Sequence, residues 1–438
     1  MICFACLRLR SASAAAFDVV RCSGGVTASV RRAMRCAVRG TENLLTIALL
    51  SWVGCAAATE TYHEYVLRGI ESPSPALANA LAAAGVAAMQ PDDVKALSAA
   101  NAAFLDASYE QYEASTEHPI QASLDARVAV PLLVQLVREW SAHGHSQRAQ
   151  AFAPIVEAVR RLLAGVSAPR VLVPGSGLGR LLHDLGDALK TSSPTIVGVE
   201  PDIHAQLLAG RLLEPVEEAQ APDDSSCRDE AASETLLTHR DGMQVPYGCS
   251  RNVAAIYPSL HLSTGWANAT DRLAPILLPD VTAASRAEVQ QLAAVQLVVG
   301  SFPDALEPLG GADGGGGDGG GGGGEASGFD AVATCFFLDV ARDILSVIRA
   351  VHTLLAPRQG SWANLGPLAF PDAPHEAMGG ANLAYPLSAS QLLGLVRAGG
   401  FEITEERLAA CEYGGLPRRL ERPAERTCLY FVAKAVAV

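Results

Sequence analysis

The sequence predicts an α/β fold built around a doubly wound parallel sheet. Apolar, β-branched runs alternate with segments whose apolar residues recur every three or four positions, as expected for strands and helices. A glycine-rich turn, Gly175–Gly179, follows the first such run, and a carboxylate, Glu200, ends the second. Because strands separated by helices pair in parallel, we expect a ligand to lie across their carboxyl ends.

The predicted elements follow in order along the chain. Residues 61–165 are expected to be helical, because their apolar positions recur at steps of three and four and β-branched runs are absent. Strands are then predicted at six apolar runs, Arg170–Val173, Thr195–Glu200, Val295–Gly300, Phe329–Leu338, Ser361–Leu365 and Cys428–Ala433. The clearest helices are predicted at Pro131–Trp140, Phe152–Leu163, Ile344–Leu355 and Leu387–Ala398.

Composition excludes several classes of partner. The 438 residues are 49% hydrophobic and 18% charged, which allows a sizeable core in one large domain with an extension or in two domains. A net charge of −13 argues against non-specific nucleic-acid binding and against stable association with anionic lipid surfaces. The ten cysteines are scattered, and Cys3 and Cys6 form a single C-x-x-C, so we expect free thiols and no metal site.

Three parts are predicted along the chain. Residues 1–60 form a leader, residues 61–165 a helical N-terminal extension, and residues 166–438 the α/β domain that binds the cofactor. Two insertions are expected within that domain. The segment 214–238 is rich in charged and turn-forming residues, and the segment 309–328 is nearly continuous glycine.

The leader has two interpretations. Residues 1–41 are rich in Arg, Ala and Ser and contain one acidic residue, Asp18, which is typical of an organellar transit peptide. A wrongly assigned translation start would explain the same composition equally well. The apolar run Leu44–Ala58 is too short for a membrane span, and is expected to be a signal-peptide core or a buried helix.

The glycine turn predicts a nucleoside-cofactor site. Gly175 permits a tight strand-to-helix turn, and Gly177 and Gly179 allow the backbone to approach a ligand closely. Glu200 is placed to accept hydrogen bonds from the ribose hydroxyls of an adenosine. Arg180 stands where a dinucleotide motif has its third glycine. We therefore favour S-adenosylmethionine over a dinucleotide, with a purely structural glycine turn as the alternative.

Asp339 is the strongest catalytic candidate, because it follows a predicted strand on the ligand side of the sheet. A carboxylate there can hold a nucleophile in one tautomer and stabilise its developing charge. The alternative is an N-cap for the helix that follows. Asn364 and His261 are weaker candidates at the ends of apolar segments, and a lone histidine is more often a packing residue.

Gln135 and Arg138 lie one turn apart on a predicted helix and therefore share a face. Taken alone, these two side chains are better explained as a solvated helix face than as a ligand site.

Several motifs occur in a fixed order. They are Val171-Leu-Val-Pro-Gly-Ser-Gly-Leu-Gly-Arg180, Tyr257-Pro-Ser-Leu-His261, Pro275-Ile-Leu-Leu-Pro-Asp-Val281, Ala333-Thr-Cys-Phe-Phe-Leu-Asp339 and Trp362-Ala-Asn-Leu-Gly-Pro-Leu368. With the helix around Val134–Ser141, they resemble the carnosine N-methyltransferase family, which methylates the imidazole of a histidine-containing dipeptide with S-adenosylmethionine. The resemblance covers roughly residues 128–434, and so many ordered motifs make chance similarity improbable.

The resemblance implies a Rossmann-like, seven-stranded methyltransferase sheet with a helical N-terminal extension. It also implies a cofactor site in which Gln135 and Arg138 contact the methionine carboxylate end. The other cofactor-binding residues implied are Gly175, Gly177, Gly179, Glu200, Ser301, Phe302 and Cys335. For the substrate, Asp339 matches the family's imidazole-binding aspartate, and His261, Asn364 and Tyr413 are further candidates.

Departures from the family pattern affect the substrate more than the cofactor. Ser301 replaces the acid expected before Phe302, and the family's substrate histidine falls on or near Pro371, with His375 as a possible substitute. Tyr413 is a candidate for one substrate tyrosine, whereas the tyrosine cluster expected before the last strand is missing from 422–428.

The expected activity is methyl transfer to the imidazole of a histidine-containing dipeptide, of the carnosine-to-anserine type. Three alternatives stay open, namely another histidine-containing or amine acceptor, a nucleotide-binding dehydrogenase and a non-catalytic cofactor-binding scaffold. The expected partner is the small peptide substrate, with homodimer formation left open. The resemblance favours the cytoplasm, and the Arg-rich leader favours an organelle.

Overall fold

The structure, a computed structural model, describes residues 61–68, 75–83, 91–113, 125–214, 236–238, 244–246, 254–262, 266, 269–309, 328–341, 343–369, 386–416 and 424–436. All of these residues belong to one compact unit, Thr61–Asp372 with Leu383–Val438. The predicted leader, most of the two insertions, Pro371 and His375 lie outside the described residues.

Helices precede the first strand, as the apolar periodicity predicted. Their bounds are α1 Tyr62–Arg68, α2 Pro75–Ala83, α3 Pro91–Glu113, α4 Ala126–Trp140 and α5 His145–Leu162. Helix α4 begins at Asp125, whose side chain accepts a hydrogen bond from the backbone N–H of Arg127 at 2.9 Å. At its other end, the indole Nε1 of Trp140 donates to the carbonyl of Leu178 at 2.8 Å. This bond attaches α4 directly to the glycine turn.

A seven-stranded sheet forms the centre of the domain. Its strands are β1 Arg170–Pro174, β2 Thr195–Glu200, β7 Ala294–Val299, β8 Ala331–Cys335, β9 Ser361–Pro367, β10 Phe401–Tyr413 and β11 Ala424–Ala435. They are arranged in the order β10-β11-β9-β8-β1-β2-β7. The connecting helices are α6 Arg180–Leu189, α7 Ile203–Leu213, α8 Ala283–Leu292, α9 Ile344–Leu355 and α10 Ala389–Ala398. The prediction of an α/β fold with a seven-stranded sheet is confirmed.

The parallel pairing predicted from the alternation of strands and helices holds for five strands and fails at β11. Strand β11 pairs antiparallel with both β9 and β10, whereas β1, β2, β7, β8 and β9 pair in parallel. Strand β10 itself was not predicted. It lies at the edge of the sheet, and its charged residues, such as Glu402, Glu405 and Glu406, hide the alternation that marks a buried strand.

Two short hairpins lie outside the main sheet. Strands β3 Leu236–Thr238 and β4 Gln244–Pro246 pair with each other, so the predicted insertion 214–238 ends in a strand. Strands β5 Ala254–Ile256 and β6 Ile276–Leu278 form the second pair and bracket the segment that contains His261.

Apolar side chains pack on both faces of the sheet. In β1, Val171 and Val173 join a core with α4, α5, α6 and α7, whereas Leu172 joins a second core with α9 and α10. Successive residues of a strand point to opposite faces, so a strand covered on both sides is apolar throughout. This explains the uninterrupted apolar runs from which the strands were predicted.

Asn364 belongs to a buried hydrogen-bond network that joins β8, β9 and β11. Its Oδ1 accepts from the Thr334 hydroxyl at 2.9 Å, and its Nδ2 donates to the carbonyl of Leu429 at 3.1 Å. The Thr334 hydroxyl in turn accepts from the indole of Trp362 at 2.8 Å. Asn364 is 2% exposed, so its amide stabilises the sheet.

Replacing Asn364 by Ala should therefore lower the free energy of unfolding by about 2–4 kcal/mol, because it leaves buried polar groups without partners. Urea unfolding of this variant beside Glu402→Ala, a substitution on the exposed edge strand, measures the effect. If Asn364→Ala unfolds like the parent chain but loses turnover, the residue acts on the substrate instead.

Candidate functional site

A cavity of about 410 Å³ lies at the carboxyl ends of β1, β2 and β8, between the sheet and helix α4. Ligand sites of doubly wound sheets occur at this edge, and the volume lies within the usual range for small-molecule sites. Its lining residues are Val130, Pro131, Val134, Gln135, Arg138, Glu139, Phe152, Val173, Gly175, Ser176, Gly177, Leu181, Glu200, Cys335, Phe336, Phe337, Val340, Tyr413 and Gly414.

The glycine turn forms one wall of the cavity. Gly175 and Gly177 have φ values of +67° and +53°, a conformation that side chains rarely adopt. A Cβ at Gly175 would lie 2.7 Å from Cδ2 of Phe337, and one at Gly177 would lie 2.5 Å from Nε2 of Gln135. The backbone of the turn thus lies closer to Phe337 and Gln135 than any residue with a side chain would allow.

Gly179 has a different position from the other two glycines. It is the N-cap of α6 with φ +79°, and a Cβ there would lie 3.1 Å from Cβ of Ala209. It is absent from the cavity lining. Its place is the close packing of α6 against α7, which the sequence could not distinguish from a ligand contact.

Glu200 holds its carboxylate against the turn. Its Oε2 accepts from the backbone N–H of Gly177 at 3.0 Å, and its Oε1 accepts from that of Asp202 at 3.2 Å. Burial raises the pKa of Glu200, while these two N–H groups lower it. The carboxylate is therefore oriented at the carboxyl end of β2 and faces the cavity.

Three polar residues of α4 line the opposite wall. The Nε2 of Gln135 and a terminal nitrogen of Arg138 donate to the same oxygen, Oε1 of Glu139, at 2.8 and 2.7 Å. Glu139 is only 3% exposed. The interpretation of Gln135 and Arg138 as a solvated face is therefore wrong, because both are turned towards the cavity.

Glu139 was not predicted as a site residue from the sequence. The signal available was a carboxylate one helical turn after Gln135, beside a tryptophan that marks a buried face. Only the contact between α4 and the glycine turn shows that this carboxylate is buried.

The chain turns sharply after β8. Phe336 has φ +51°, a strained value for a residue other than glycine, and its N–H donates to the carbonyl of Leu365 at 3.0 Å. Strand β8 therefore ends at Cys335, earlier than predicted. The ring of Phe336 packs against that of Tyr413 with centroids 5.0 Å apart, and Cζ of Arg138 lies over the Tyr413 ring, 5.2 Å from its centroid.

Asp339 follows this turn, between Leu338 and the exposed, cavity-lining Val340. Its Oδ1 is buried and has no hydrogen-bond partner among the described residues. Burial raises the pKa of Asp339 to about 6, although the nearby guanidinium of Arg426 acts to lower it. The N-cap alternative is wrong, since α9 begins at Ile344 and Asp343 caps it by accepting from Leu345 and Ser346.

Cys335 lines the cavity as a neutral thiol, because burial raises its pKa. Its Sγ lies 3.8 Å from the carbonyl oxygen of Ala151, a long contact with α5. Within the described part of the chain, Cys335, Cys411 and Cys428 are all free thiols.

Asp339 is itself absent from the cavity lining, although its neighbour Val340 lines it, and four predicted site residues besides Gly179 are also absent, namely Ser301, Phe302, His261 and Asn364. The ring of Phe302 meets that of the lining residue Phe337 edge-on, with centroids 6.1 Å apart, and the exposed Ser301 directly precedes Phe302. His261 is half-buried beside the β5–β6 hairpin, and Asn364 is inside the sheet network.

Arg180 has a structural explanation that the sequence did not suggest. Its guanidinium donates to Asp184 at 2.7 Å, to the carbonyl of Glu139 at 3.0 Å and to Asp280. Arg148 of α5 binds the second carboxylate oxygen of Asp280. These contacts join α4, α5 and α6 behind the glycine turn, so the charge of Arg180 is already neutralised within the fold.

Two negative observations apply to the described residues only. No helix among them has the length and apolar character needed to cross a membrane. No group of three or more His, Cys, Asp or Glu side chains within these ranges is arranged to hold a metal ion.

The strand order, the single antiparallel strand beside the edge and the cavity next to the glycine turn define the class of the protein. It has the Rossmann-like methyltransferase fold. A family model described as Carnosine N-methyltransferase matches residues 115–220 and 246–436. The chain belongs to the carnosine N-methyltransferase family.

Individual relatives are more distant. Proteins named carnosine N-methyltransferase from Dictyostelium discoideum and Mus musculus are 26% and 25% identical, over 68% and 63% of this chain. The matches cover 52% and 54% of those proteins, so the chain spans about half the length of the curated relatives it matches. A crystal structure of CrArsM, an arsenic(III) S-adenosylmethionine methyltransferase from Chlamydomonas reinhardtii, matches 65% of this chain and 74% of its own, with 15% identity and a TM-score of 0.30.

The residues of the cavity fit S-adenosylmethionine. The glycine wall leaves space that a Cβ would fill, and Glu200 presents a carboxylate to it. On the opposite wall, Nε of Arg138 and Oε2 of Glu139 are buried without hydrogen-bond partners in the described structure. Buried polar atoms are rarely left unpaired, so a ligand with both a donor and an acceptor is expected there.

Proposed function

We propose that the chain transfers a methyl group from S-adenosylmethionine to an imidazole nitrogen of a histidine-containing dipeptide, as in the conversion of carnosine to anserine. The observation that carries the proposal is the unpaired Oδ1 of the half-buried Asp339, which lies beside the cavity in a chain of the carnosine N-methyltransferase family. Such a carboxylate is suited to accept a hydrogen bond from an imidazole N–H.

The cofactor is held by residues from both walls. Glu200 would accept from the ribose hydroxyls, Gly175 and Gly177 would allow the close backbone approach, and Gln135 with Arg138 would bind the methionine carboxylate; all five residues line the cavity. When bound, S-adenosylmethionine supplies a methyl group that is already activated by its sulfonium. Positioning of the acceptor therefore contributes more than acid–base chemistry.

Asp339 orients the acceptor. Its carboxylate accepts a hydrogen bond from one imidazole N–H, which fixes the tautomer and leaves the lone pair of the other nitrogen directed at the methyl group. As that nitrogen formed its bond to the methyl carbon, the sulfur–methyl bond would break to leave a neutral thioether, the ring would become an imidazolium, and the carboxylate of Asp339 would stabilise the new charge. Burial strengthens this interaction, because the effective dielectric constant is low there.

A different acceptor is supported by a separate observation. Val340 and Tyr413, at the cavity, are 67% and 39% exposed. An open rim of this kind suits a larger histidine-containing or amine acceptor, and the loss of the family's tyrosine cluster favours the same alternative.

The first experiment is calorimetric titration of the full chain with S-adenosylmethionine and, separately, with NAD. Carnosine and other histidine dipeptides are then incubated with the protein and S-adenosylmethionine and analysed by mass spectrometry. A gain of one methyl on carnosine supports the proposal. Binding of S-adenosylmethionine without methylation of any dipeptide directs the search to other acceptors or to a non-catalytic cofactor-binding scaffold, and absence of binding contradicts the proposal.

A further inference from the structure

We propose that Arg138 and Glu139 together form a clamp for the amino-acid zwitterion of the cofactor, with Oε2 of Glu139 accepting from its α-ammonium group. This inference rests on the proposed function, because it assumes that S-adenosylmethionine occupies the cavity. Resemblance to the family suggested Gln135 and Arg138 as contacts for the carboxylate end only. The assignment of Glu139 comes from its hydrogen bonding and burial.

The two oxygens of Glu139 have different environments. Oε1 accepts from Gln135 and Arg138 at 2.8 and 2.7 Å, whereas Oε2 is buried and has no partner among the residues that the structure describes. A carboxylate that is 3% exposed with one unpaired oxygen carries a large desolvation penalty. A cationic hydrogen-bond donor at Oε2 would remove much of this penalty.

Arg138 has an unpaired donor that complements this acceptor. One terminal nitrogen binds Glu139, while its Nε is buried and unpaired within the described ranges. A free donor and a free acceptor thus lie on adjacent residues, linked by their own ion pair. An amino-acid zwitterion presents the same two groups in reverse, a carboxylate for the guanidinium and an ammonium for the carboxylate.

Gly177 places this pair at the cavity surface. A Cβ at that position would lie 2.5 Å from Nε2 of Gln135 and 3.2 Å from Oε1 of Glu139. The polar side-chain ends of Gln135 and Glu139 therefore face the glycine wall across a narrow gap. Because Gly177 has no side chain, a ligand in this gap can lie close to the backbone of the turn and reach Glu139.

The charge of the cavity points to the same ligand. Its lining contains two carboxylates, Glu139 and Glu200, and one guanidinium, Arg138. S-adenosylmethionine carries an ammonium, a carboxylate and a sulfonium, so its net positive charge balances the net negative charge of the lining. Burial raises the pKa of Glu200 most, and the negative charge of Glu139 adds a smaller effect in the same direction.

The test uses four ligands that differ at the amino-acid end. They are S-adenosylmethionine, its 2-oxo analogue without the ammonium, its decarboxylated form, and 5′-methylthioadenosine, which lacks the whole amino-acid group. Calorimetric affinities are measured for the parent chain, for Glu139→Gln and for Glu157→Gln. The last variant makes the same chemical change at an exposed residue of α5 and should bind all four ligands like the parent.

Glu139→Gln should weaken binding of S-adenosylmethionine and of its decarboxylated form by about 10- to 100-fold, the range for a hydrogen bond between charged groups. Its affinities for the 2-oxo analogue and 5′-methylthioadenosine should stay within about twofold of the parent. Unchanged 5′-methylthioadenosine binding also shows that the site is folded. In the parent chain alone, the 2-oxo analogue should already bind more weakly than S-adenosylmethionine.

Three results would overturn the assignment. Equal losses for all four ligands would make Glu139 purely structural, and a loss confined to ligands with a carboxylate would make it a support for Gln135 and Arg138. A parent chain that does not discriminate against the 2-oxo analogue would overturn it without any variant. If the parent binds none of the four ligands, the proposed function fails instead.

Discussion

Replacing Asp339 by Asn is expected to reduce methyl transfer to carnosine by about 10²- to 10⁴-fold, with little change in cofactor affinity. The magnitude is that of losing one positioned charge-stabilising or proton-accepting group. Asn keeps the size of the side chain but cannot stabilise the imidazolium as a carboxylate does. Single-turnover rates measured by mass spectrometry, with S-adenosylmethionine affinity from calorimetry, separate the two effects.

The matched control is Asp343→Asn, which makes the same change four residues further on, at the N-cap of α9. This variant should retain its turnover. If Asp339→Asn turns over carnosine at the parental rate, the aspartate has no part in the reaction. Loss of cofactor affinity in the same variant would instead point to a collapsed site.

The pH dependence of the reaction provides a second test of Asp339. Because burial raises its pKa to about 6, the carboxylate should be protonated progressively as the pH falls through 6, and turnover should fall with it. The imidazole substrate titrates in a similar range. In a variant that lacks the carboxylate, the remaining pH dependence of turnover should therefore come only from protonation of the imidazole substrate.

The stability of the fold should depend on pH in the opposite direction to turnover. A carboxyl with a raised pKa in the folded state binds protons more tightly there than in the unfolded chain, so the free energy of unfolding falls as the pH rises from about 4 to about 6 and stays at the lower value above pH 6. Asp339→Asn should consequently have a higher Tm than the parent at pH 8, and the difference should vanish near pH 4. Lower stability of the variant at pH 8 would contradict the burial argument.

Gly177→Ala is expected to lower the affinity for S-adenosylmethionine by about 100-fold or more. At φ +53° an alanine is strained, at a cost of about 1–2 kcal/mol. Its Cβ would also displace Gln135, whose Nε2 lies 2.5 Å away, and disturb the N–H bond to Glu200. Calorimetry of the variant and the parent measures the loss directly.

Gly165→Ala is the control for backbone strain alone. Gly165 has φ +84° in the turn after α5, and a Cβ there would meet nothing within 4 Å. The two variants should lose similar stability from the backbone, but only Gly177→Ala should lose cofactor affinity. Equal cofactor affinity in both would show that the turn is not a ligand wall.

Much of the fold could be predicted because the residues within a single strand or helix already indicate how that element is buried. A strand buried on both faces is continuously apolar, and a helix packed on one face has apolar residues every three or four positions. The edge strand β10 escaped prediction because its exposed glutamates remove this signal. The direction of β11 could not be predicted, since antiparallel pairing with β9 and β10 is a property of the assembled sheet.

The site shows the same division. Gly175, Gly177 and Glu200 were predicted from a turn motif and line the cavity. Gln135 and Arg138 were ambiguous, because a helix sequence does not say what its polar face meets. The roles of the individual residues, including that of Asp339, remain predictions until the variants are measured.

By itself, the sequence determined the α/β class, the carnosine N-methyltransferase family and the cofactor type, since these depend on short motifs and on periodicities within single elements. Only the tertiary structure decided that Glu139 is buried with a free oxygen, that Asn364 belongs to the sheet, and that Asp339 is not a cap. The physical reason is that burial and hydrogen-bond partners come from residues distant in the chain. They exist only once α4 packs on the glycine turn and β9 is enclosed by its neighbours.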